Sequence, residues 1–427
     1  MSHSPTICAI PGDGIGREVV PAAVSVLQHV VPGLRVEWAE AGYETWRRTG
    51  EALPERTLSL AAEADATLFG AVSSPLQPTP GYQSAILLLR RRLDLYACVR
   101  PVRSPHPPTP LSLPAGEGGR PDVLHNRHSV GEGDHPDVLH NRHPLSVEAE
   151  QQYNTVGRSP SPAGRERRAG PSGARLAPEG PVSHGTGGEG IHADLIIVRE
   201  NTEGLYGGGE ESDGERAVAR RVITRAASRR IARLAFDMAR RLGRRRVTVV
   251  HKATVLPKTD GLFRESVFDV ARDYPEITLD EALVDSAAMR VAAHPESFDV
   301  IVTTNLFGDI LSDVAAIHGG GLGLAPSANI GDNAAVFEPV HGSAPDIAGQ
   351  GIANPLAAIL AGAMLLDHIN RHAEAAAVRD AVAATVASPV RTPDLGGTAT
   401  TREVVEAVID NRPATAVAWQ QTPTAVG

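Results

Sequence analysis

The chain has 427 residues, a formal net charge of -9, and a hydrophobic share of 42% with only 4% aromatics. That length suits about two to three domains, with cores filled by aliphatic side chains and alanine. The acidic balance argues against a nucleic-acid partner, which would call for a basic face.

No run approaches the roughly 18 apolar residues that span a bilayer, so no membrane association is expected. The N-terminus has no basic stretch leading into an apolar one. The two cysteines, Cys8 and Cys98, each sit in an apolar run that reads as a buried strand. They imply no disulfide framework, and a soluble protein of the reduced cytoplasm is expected.

Residues 6–11 read as a strand, followed by the turn GDGIG at 12–16 and a helix from about 17 to 29. Strand-like apolar runs recur at 34–39, 66–71, 96–102, 195–198, 247–250 and 300–303. Helical patterns fall between many of them, at 56–63, 83–93, 226–242, 261–273 and 309–317. Such alternation predicts an α/β protein with a largely parallel sheet. The basic tract RRLGRRR at 240–246 closes a helical pattern, where cations complement the helix C-terminus, so it reads as a helix end rather than a phosphate patch.

One stretch breaks the alternation. Residues 104–190 hold 13 of the 33 prolines and 7 of the 16 histidines, with no Phe or Trp, and repeat PDVLHNRH at 121–128 and 136–143. Such a composition buries too little apolar area to offset the entropy of ordering. It reads as a disordered low-complexity insertion that loops out and leaves the fold intact, and its His-x-x-His pairs as chance rather than a metal site.

Candidate chemistry lies outside the insertion. Asp309 and Asp313 are four apart in a helical pattern and share a face, where two carboxylates repel unless a cation sits between them. Hard oxygen donors favour Mg²⁺ or Mn²⁺, and Asp285 is a third candidate ligand. Arg90, Arg100 and Arg199 stand at helix or strand ends, where guanidinium forks suit a di- or tricarboxylate. Lys252 follows an apolar strand and Tyr206 lies in a glycine-flanked loop, candidates for a base and a proton donor. The loop EPVHGSAPDIAGQGIANP at 338–355 offers backbone N–H groups to a phosphate or an adenosine. GDGIG lacks the third-glycine spacing of the dinucleotide fingerprint.

In this order the segments GDGIG, ATLFGAVSSP (66–75), LRRRLDLYACVRP (89–101), VRENTEGLY (198–206), HKATVLPKTDGLF (251–263), DVIVTTNLFGDILSD (299–313) and FEPVHGSAPDIAGQGIANP (337–355) resemble the NAD(P)-dependent β-decarboxylating dehydrogenases. That family includes isocitrate, 3-isopropylmalate, homoisocitrate and tartrate dehydrogenases. The resemblance covers nearly all of the chain outside the insertion, and NLFGDILSD with HGSAPDIAG is its most specific part.

The resemblance implies a two-domain isocitrate/isopropylmalate dehydrogenase-like fold. A first, cofactor-side domain would comprise 1–103 with 334–427, and a second, for substrate, metal and dimerisation, 191–333. It also implies a homodimer or dimer of dimers and a small hydroxy-polycarboxylate substrate. Arg90, Arg100 and Arg199 would hold substrate carboxylates, and Ser74 would contact the substrate beside the nicotinamide. Asp309 and Asp313 would bind the metal, with Asp285 and the base Lys252 supplied by the partner subunit. Tyr206 would return a proton after CO₂ leaves. Gly342, Ser343, Ala344, Pro345, Asp346 and Asn354 would hold the adenosine. Asp346 favours NAD, because a carboxylate accepts from a ribose hydroxyl and repels a phosphate.

Two positions depart from the pattern. Leu87 stands where some homoisocitrate enzymes carry a polar or charged substrate-reading residue, and there it resembles the isopropylmalate enzymes. Thr254 replaces the usual Asn, keeping a hydroxyl but losing an amide, at a position expected to touch nicotinamide and substrate. RRRLDLYACVRP, VRENTEGLY and the tail RTPDLGGTATT (391–401) are most similar to the homoisocitrate branch. Oxidative decarboxylation of homoisocitrate to 2-oxoadipate is the activity this implies, with 3-isopropylmalate as the alternative substrate. A non-catalytic binding protein on the same fold would be expected to have lost the acids, the arginines, Lys252 and Tyr206, and all are present.

Overall fold

The structure, a computed structural model, describes residues 4–75, 79–104 and 192–412. The insertion read at 104–190 lies, apart from Ser104, outside the described residues.

The first part of the chain runs β1 (Thr6–Gly12), α1 (Gly16–Val30), β2 (Arg35–Trp38), α2 (Tyr43–Thr49), α3 (Glu55–Glu63), β3 (Ala66–Ala71), α4 (Ala85–Arg92) and β4 (Ala97–Arg103). Then follow β5 (Asp194–Glu200), α5 (Leu205–Gly208), β6 (Glu210–Ser212), β7 (Ala217–Ala219), α6 (Arg225–Arg241), β8 (Arg246–His251), α7 (Thr259–Ala271) and β9 (Thr278–Leu283). The rest is α8 (Val284–Ala293), β10 (Val300–Thr303), α9 (Asn305–Ala316), β11 (Pro326–Ile330), β12 (Ala335–Pro339), α10 (Leu356–His368), α11 (His372–Ala387) and α12 (Thr401–Asp410).

Ten strands form one sheet in the order β2-β1-β3-β12-β11-β4-β5-β10-β8-β9, and β6 and β7 make a separate hairpin. The expected parallel pairing holds in two outer blocks, β2-β1-β3-β12 and β5-β10-β8-β9. It fails at the centre, where β11 runs antiparallel to both β12 and β4, and β4 antiparallel to β5. No helix intervenes between β11 and β12, so a tight turn suffices there, whereas parallel neighbours need a crossover. The two parallel blocks therefore run in opposite directions on either side of β11 and β4.

Helix α10 is apolar almost all round, which predicts burial on every side. Leu356, Ile359, Leu365 and Leu366 on it are fully or nearly fully buried. Cys8 on β1 and Cys98 on β4 are both free and buried, as the apolar runs around them predict, and burial pushes the Cys8 thiol up to about 12. The basic tract at 240–246 is paired locally: Arg240 with Glu276 at 2.6 Å, and Arg244 with Asp194 at 2.5 Å and Asp299 at 3.1 Å. Among the described residues no helix is long and apolar enough to cross a membrane.

The ends flanking the insertion lie side by side. Ser104 N donates to the Ala193 carbonyl at 2.9 Å, and Ala193 N donates to Ser104 Oγ at 2.9 Å. A short turn closes two such antiparallel ends at lower entropic cost, by about 0.6 kcal/mol per halving of loop length. Replacing 106–188 by a short Gly/Ser linker is therefore expected to leave melting temperature and kcat/KM at least at the full-length values. A soluble but inactive deletion variant would show that the segment contributes to the site.

Candidate active site

Residues opposite one another on neighbouring strands share a face, and faces alternate with period two. Cys98 on β4 lies opposite Arg199 on β5 and Asn329 on β11. Ser327 on β11 lies opposite Glu338 on β12. Arg100, Cys98, Arg199, Ser327, Asn329 and Glu338 therefore form one polar stripe across the middle of the sheet. In an otherwise apolar interior such a stripe persists only if its members are paired.

They are paired. Asn329 Nδ2 donates to Glu338 Oε1 at 2.7 Å, and Arg90 of α4 reaches the same oxygen at 3.1 Å. Arg199, only 2% exposed, donates through Nε and Nη2 to Asn305 Oδ1 at 2.9 and 2.7 Å. Its Nη1 pairs with Asp309 Oδ1.

Helix α9 supplies Asp309 and Asp313 from above the stripe. It begins at Asn305, four residues before the helical pattern at 309–317, because Thr304 and Asn305 leave the C-terminal end of β10 directly into the first turn. Gly308 permits the close approach: a Cβ there would lie 2.6 Å from Arg199 Cβ. Arg100 Nη1 donates to Ser312 Oγ at 2.6 Å and reaches Asp313 Oδ1 at 3.1 Å, while its Nη2 lies 3.4 Å from Asp309 Oδ1. Tyr206 donates its hydroxyl to Asp309 Oδ2 at 2.6 Å, with the Arg199 guanidinium 5.2 Å from its ring centre.

Burial alone would raise the Asp309 carboxyl, but the charges of Arg199 and Arg100 and the Tyr206 hydrogen bond hold it below the usual carboxylate range. Burial and the bond to Asp309 push the Tyr206 phenol above its ordinary value, so it keeps its proton.

The structure thus brings Arg100, Arg199, Tyr206, Asp309 and Asp313 together, with Arg90 of α4 joined to the stripe through Glu338. Leu87 lies one turn before Arg90 on α4. It is half-buried and belongs to none of the apolar clusters that take in its neighbours Ile86, Leu88 and Leu89. Arg91, four residues on, donates to the Tyr206 carbonyl at 3.3 Å.

Lys252 and Asp285 lie apart from this cluster. Lys252 Nζ meets Asp285 Oδ1 at 2.6 Å, and that hydrogen bond lowers the Asp285 carboxyl. Among the described residues no hydrogen bond or ion pair joins either of them to Asp309 or Asp313. Likewise no group of three His, Cys, Asp or Glu side chains could hold a metal ion there. Asp309 and Asp313 are two hard-oxygen donors on one helix face, a donor type that suits Mg²⁺ or Mn²⁺. Ser74 and Thr254 are exposed and bonded to nothing in the cluster.

The glycine-rich loop after β12 packs against GDGIG. Ile15 N donates to the Ser343 carbonyl at 2.9 Å, and Gly14, at φ +53°, would place a Cβ 2.1 Å from that oxygen. Ser73, not Ser74, reaches the loop, through Ser343 Oγ at 2.9 Å. Gly342, Pro345 and Asp346 are exposed, and Ala344 takes a left-handed φ of 36°. Asn354 is buried and already engaged, donating to Asp394 Oδ2 at 2.9 Å and accepting from Leu356 N at 3.0 Å.

Asn305, Ser312, Glu338 and Asn329 were missed from sequence, as were Asp394 and the buried Asp13, which accepts from Tyr43, Glu44 and Ser73 N–H groups. All but Asn329 lie inside a quoted motif. Only strand register or loop contact reveals each one's partner, and no local pattern signals it.

The isocitrate/isopropylmalate dehydrogenase family model matches residues 6–133 and 185–408. The chain is 44% identical to the isocitrate/homoisocitrate dehydrogenase of Thermus thermophilus, covering 95% of this chain and 97% of that one. It is 41% identical to the homoisocitrate dehydrogenase of Methanocaldococcus jannaschii, over 95% and 96%. It is 42% identical to the 3-isopropylmalate dehydrogenase of Methanothermobacter thermautotrophicus, over 93% and 95%. Among solved structures, isocitrate dehydrogenase from Methylococcus capsulatus superposes with a TM-score of 0.73 at 35% identity, covering 95% of this chain and 99% of that one.

Fold, site and likeness together define a β-decarboxylating dehydrogenase. The chain belongs to the isocitrate/isopropylmalate dehydrogenase family.

Proposed function

We propose that the protein oxidises and decarboxylates homoisocitrate to 2-oxoadipate with NAD and Mg²⁺ or Mn²⁺. The observation that supports this most is the convergence of Arg100, Arg199, Tyr206, Asp309 and Asp313, with Arg90 bonded to the adjoining stripe through Glu338. Three guanidinium groups match the several carboxylates of a hydroxy-polycarboxylate. The isocitrate/homoisocitrate and homoisocitrate names of the relatives support the longer substrate.

Asp309 and Asp313 would hold the metal with Asp285 of a second copy. Bound metal would polarise the hydroxyl and then the ketone oxygen, and NAD would take the hydride. Lys252 of the second copy would take the hydroxyl proton as the ketone forms. The arginines would keep the departing carboxylate and its neighbours in place while CO₂ leaves. Tyr206 would then deliver a proton to the carbon that lost CO₂. Ser74 and Thr254 would border the nicotinamide, and the 342–346 loop with Asn354 the adenosine. The Asp346 carboxylate, free of hydrogen bonds and ion pairs among the described residues, suits a ribose hydroxyl.

A homodimer or a dimer of dimers follows from this division of labour. Met289 on α8 and Ile310 on α9 are 59% and 52% exposed, and Ile317 just beyond α9 is 73% exposed, on adjacent helices that a second copy would cover.

Leu87 favours a second reading, 3-isopropylmalate as substrate, because an apolar wall accepts an isopropyl group and disfavours an unpaired carboxylate. NADH formation with Mg²⁺ from homoisocitrate, 3-isopropylmalate and isocitrate separates the two. The highest kcat/KM is expected with homoisocitrate, and a preference for 3-isopropylmalate would replace this reading by the second.

A further inference from the structure

A buried ion pair behind Lys252 has no place in the chemistry above. Asp260, at the start of α7, is 0% exposed. Its Oδ2 accepts the backbone N–H of Lys252 at 2.6 Å, and its Oδ1 pairs with Arg221. Arg221 also donates through Nη1 to Thr259 Oγ1 at 2.8 Å and through Nη2 to Thr304 Oγ1 at 3.1 Å. Its guanidinium lies 5.4 Å from the ring centre of Phe307.

The guanidinium therefore sits against the N-terminal turns of both α7 and α9. A cation is disfavoured there by the helix dipole, and the Asp260 carboxylate offsets that. Thr304 is the N-cap of α9, yet its side chain makes no cap bond to the helix and accepts from Arg221 instead. A helix built for its own stability would use that hydroxyl as a cap.

A third segment joins through the backbone. Val222, next to Arg221, accepts from Gly204 N at 2.9 Å, two residues before Tyr206. On the far side of the Lys252 turn, buried His251 accepts the Ala253 N–H through Nδ1 at 3.1 Å. Glu281 faces its Nε2 at 3.6 Å, and burial lowers the ring's pKa, which keeps Nδ1 free to accept.

We propose that Arg221 and Asp260 are a positioning pair that sets the Lys252 turn against the helix carrying Asp309 and Asp313 and against the Tyr206 loop. This rests on the reading of Lys252 as the base. In a symmetric dimer one such staple in each subunit would fix the relative placement of groups serving both sites.

The test uses the full chain with NAD, Mg²⁺ and the best of the three substrates. Arg221→Gln is expected to lower kcat about 10- to 100-fold, the scale of a small misplacement of a reacting group. KM should change little. Arg221→Lys restores the charge opposite Asp260 but not the three-way fork, so it should recover thermal stability without recovering kcat. Thr304→Val removes only the arm to α9 and should lower kcat in a fully folded protein, which keeps the test decisive if Arg221→Gln fails to fold.

Wild-type kcat in both Arg221→Lys and Thr304→Val would overturn the proposal, even with a lowered melting temperature. Lys252→Met separates the two failures. Full turnover by that variant would overturn the base reading itself. An inactive Lys252→Met beside a fully active Arg221→Lys and Thr304→Val would overturn only the positioning role.

Discussion

Lys252→Met is expected to lower kcat by about 10²- to 10⁴-fold, the usual contribution of a positioned base, with little change in the KM of substrate or NAD. The methionine keeps the length and apolar stem of the lysine, so the turn held by Asp260 and His251 should persist. What disappears is the amine and its 2.6 Å contact with Asp285. Under the proposed function Lys252 acts in the site of the neighbouring subunit. That assignment has its own measurement. Lys252→Met and Asp309→Asn subunits, inactive alone, should regain about a quarter of wild-type activity when mixed and reassociated, since half the dimers then carry one intact site. No recovery in verified mixed dimers would place the base in its own subunit.

Asp309→Asn should be the more damaging change to metal binding. Loss of groups that merely support a ligand costs about 10- to 100-fold in metal affinity, so loss of a direct ligand should cost at least that. The Mg²⁺ concentration for half-maximal rate, or direct Mn²⁺ binding, reads this out. The same substitution leaves Arg199, 2% exposed, with only neutral oxygens as partners. A buried guanidinium that loses its carboxylate partner is destabilised, so the metal-free variant should melt below the wild type. Unchanged metal affinity together with unchanged melting would remove Asp309 from both roles.

The amino-acid sequence by itself determined the elements whose pattern is local. Seven strands of the main sheet and the helices with clear apolar periodicity are legible in it, because period-two and period-3.6 burial needs no knowledge of partners. The spacing of Asp309 and Asp313 on one helix face is local for the same reason. So is the break at 104–190, a matter of composition alone.

The tertiary structure decided what depends on partners distant in the chain. β9, TLDEAL, is half-exposed at the sheet edge and carries little apolar signal, while β11 and β12 are short and lie among glycines and prolines. The antiparallel centre follows from which ends meet, as at Ser104 and Ala193. The polar stripe exists only because register sets Cys98 opposite Arg199 and Ser327 opposite Glu338. Asn305, Asn329 and Glu338 looked like ordinary polar residues until burial made each one's partner obligatory. The anchoring of Lys252 by Asp260 and Arg221 is of the same kind. A carboxylate eight residues on in sequence and a guanidinium thirty-one residues before meet its turn only when the fold brings the starts of α7 and α9 to Arg221, since a buried charge must be paired where it is buried.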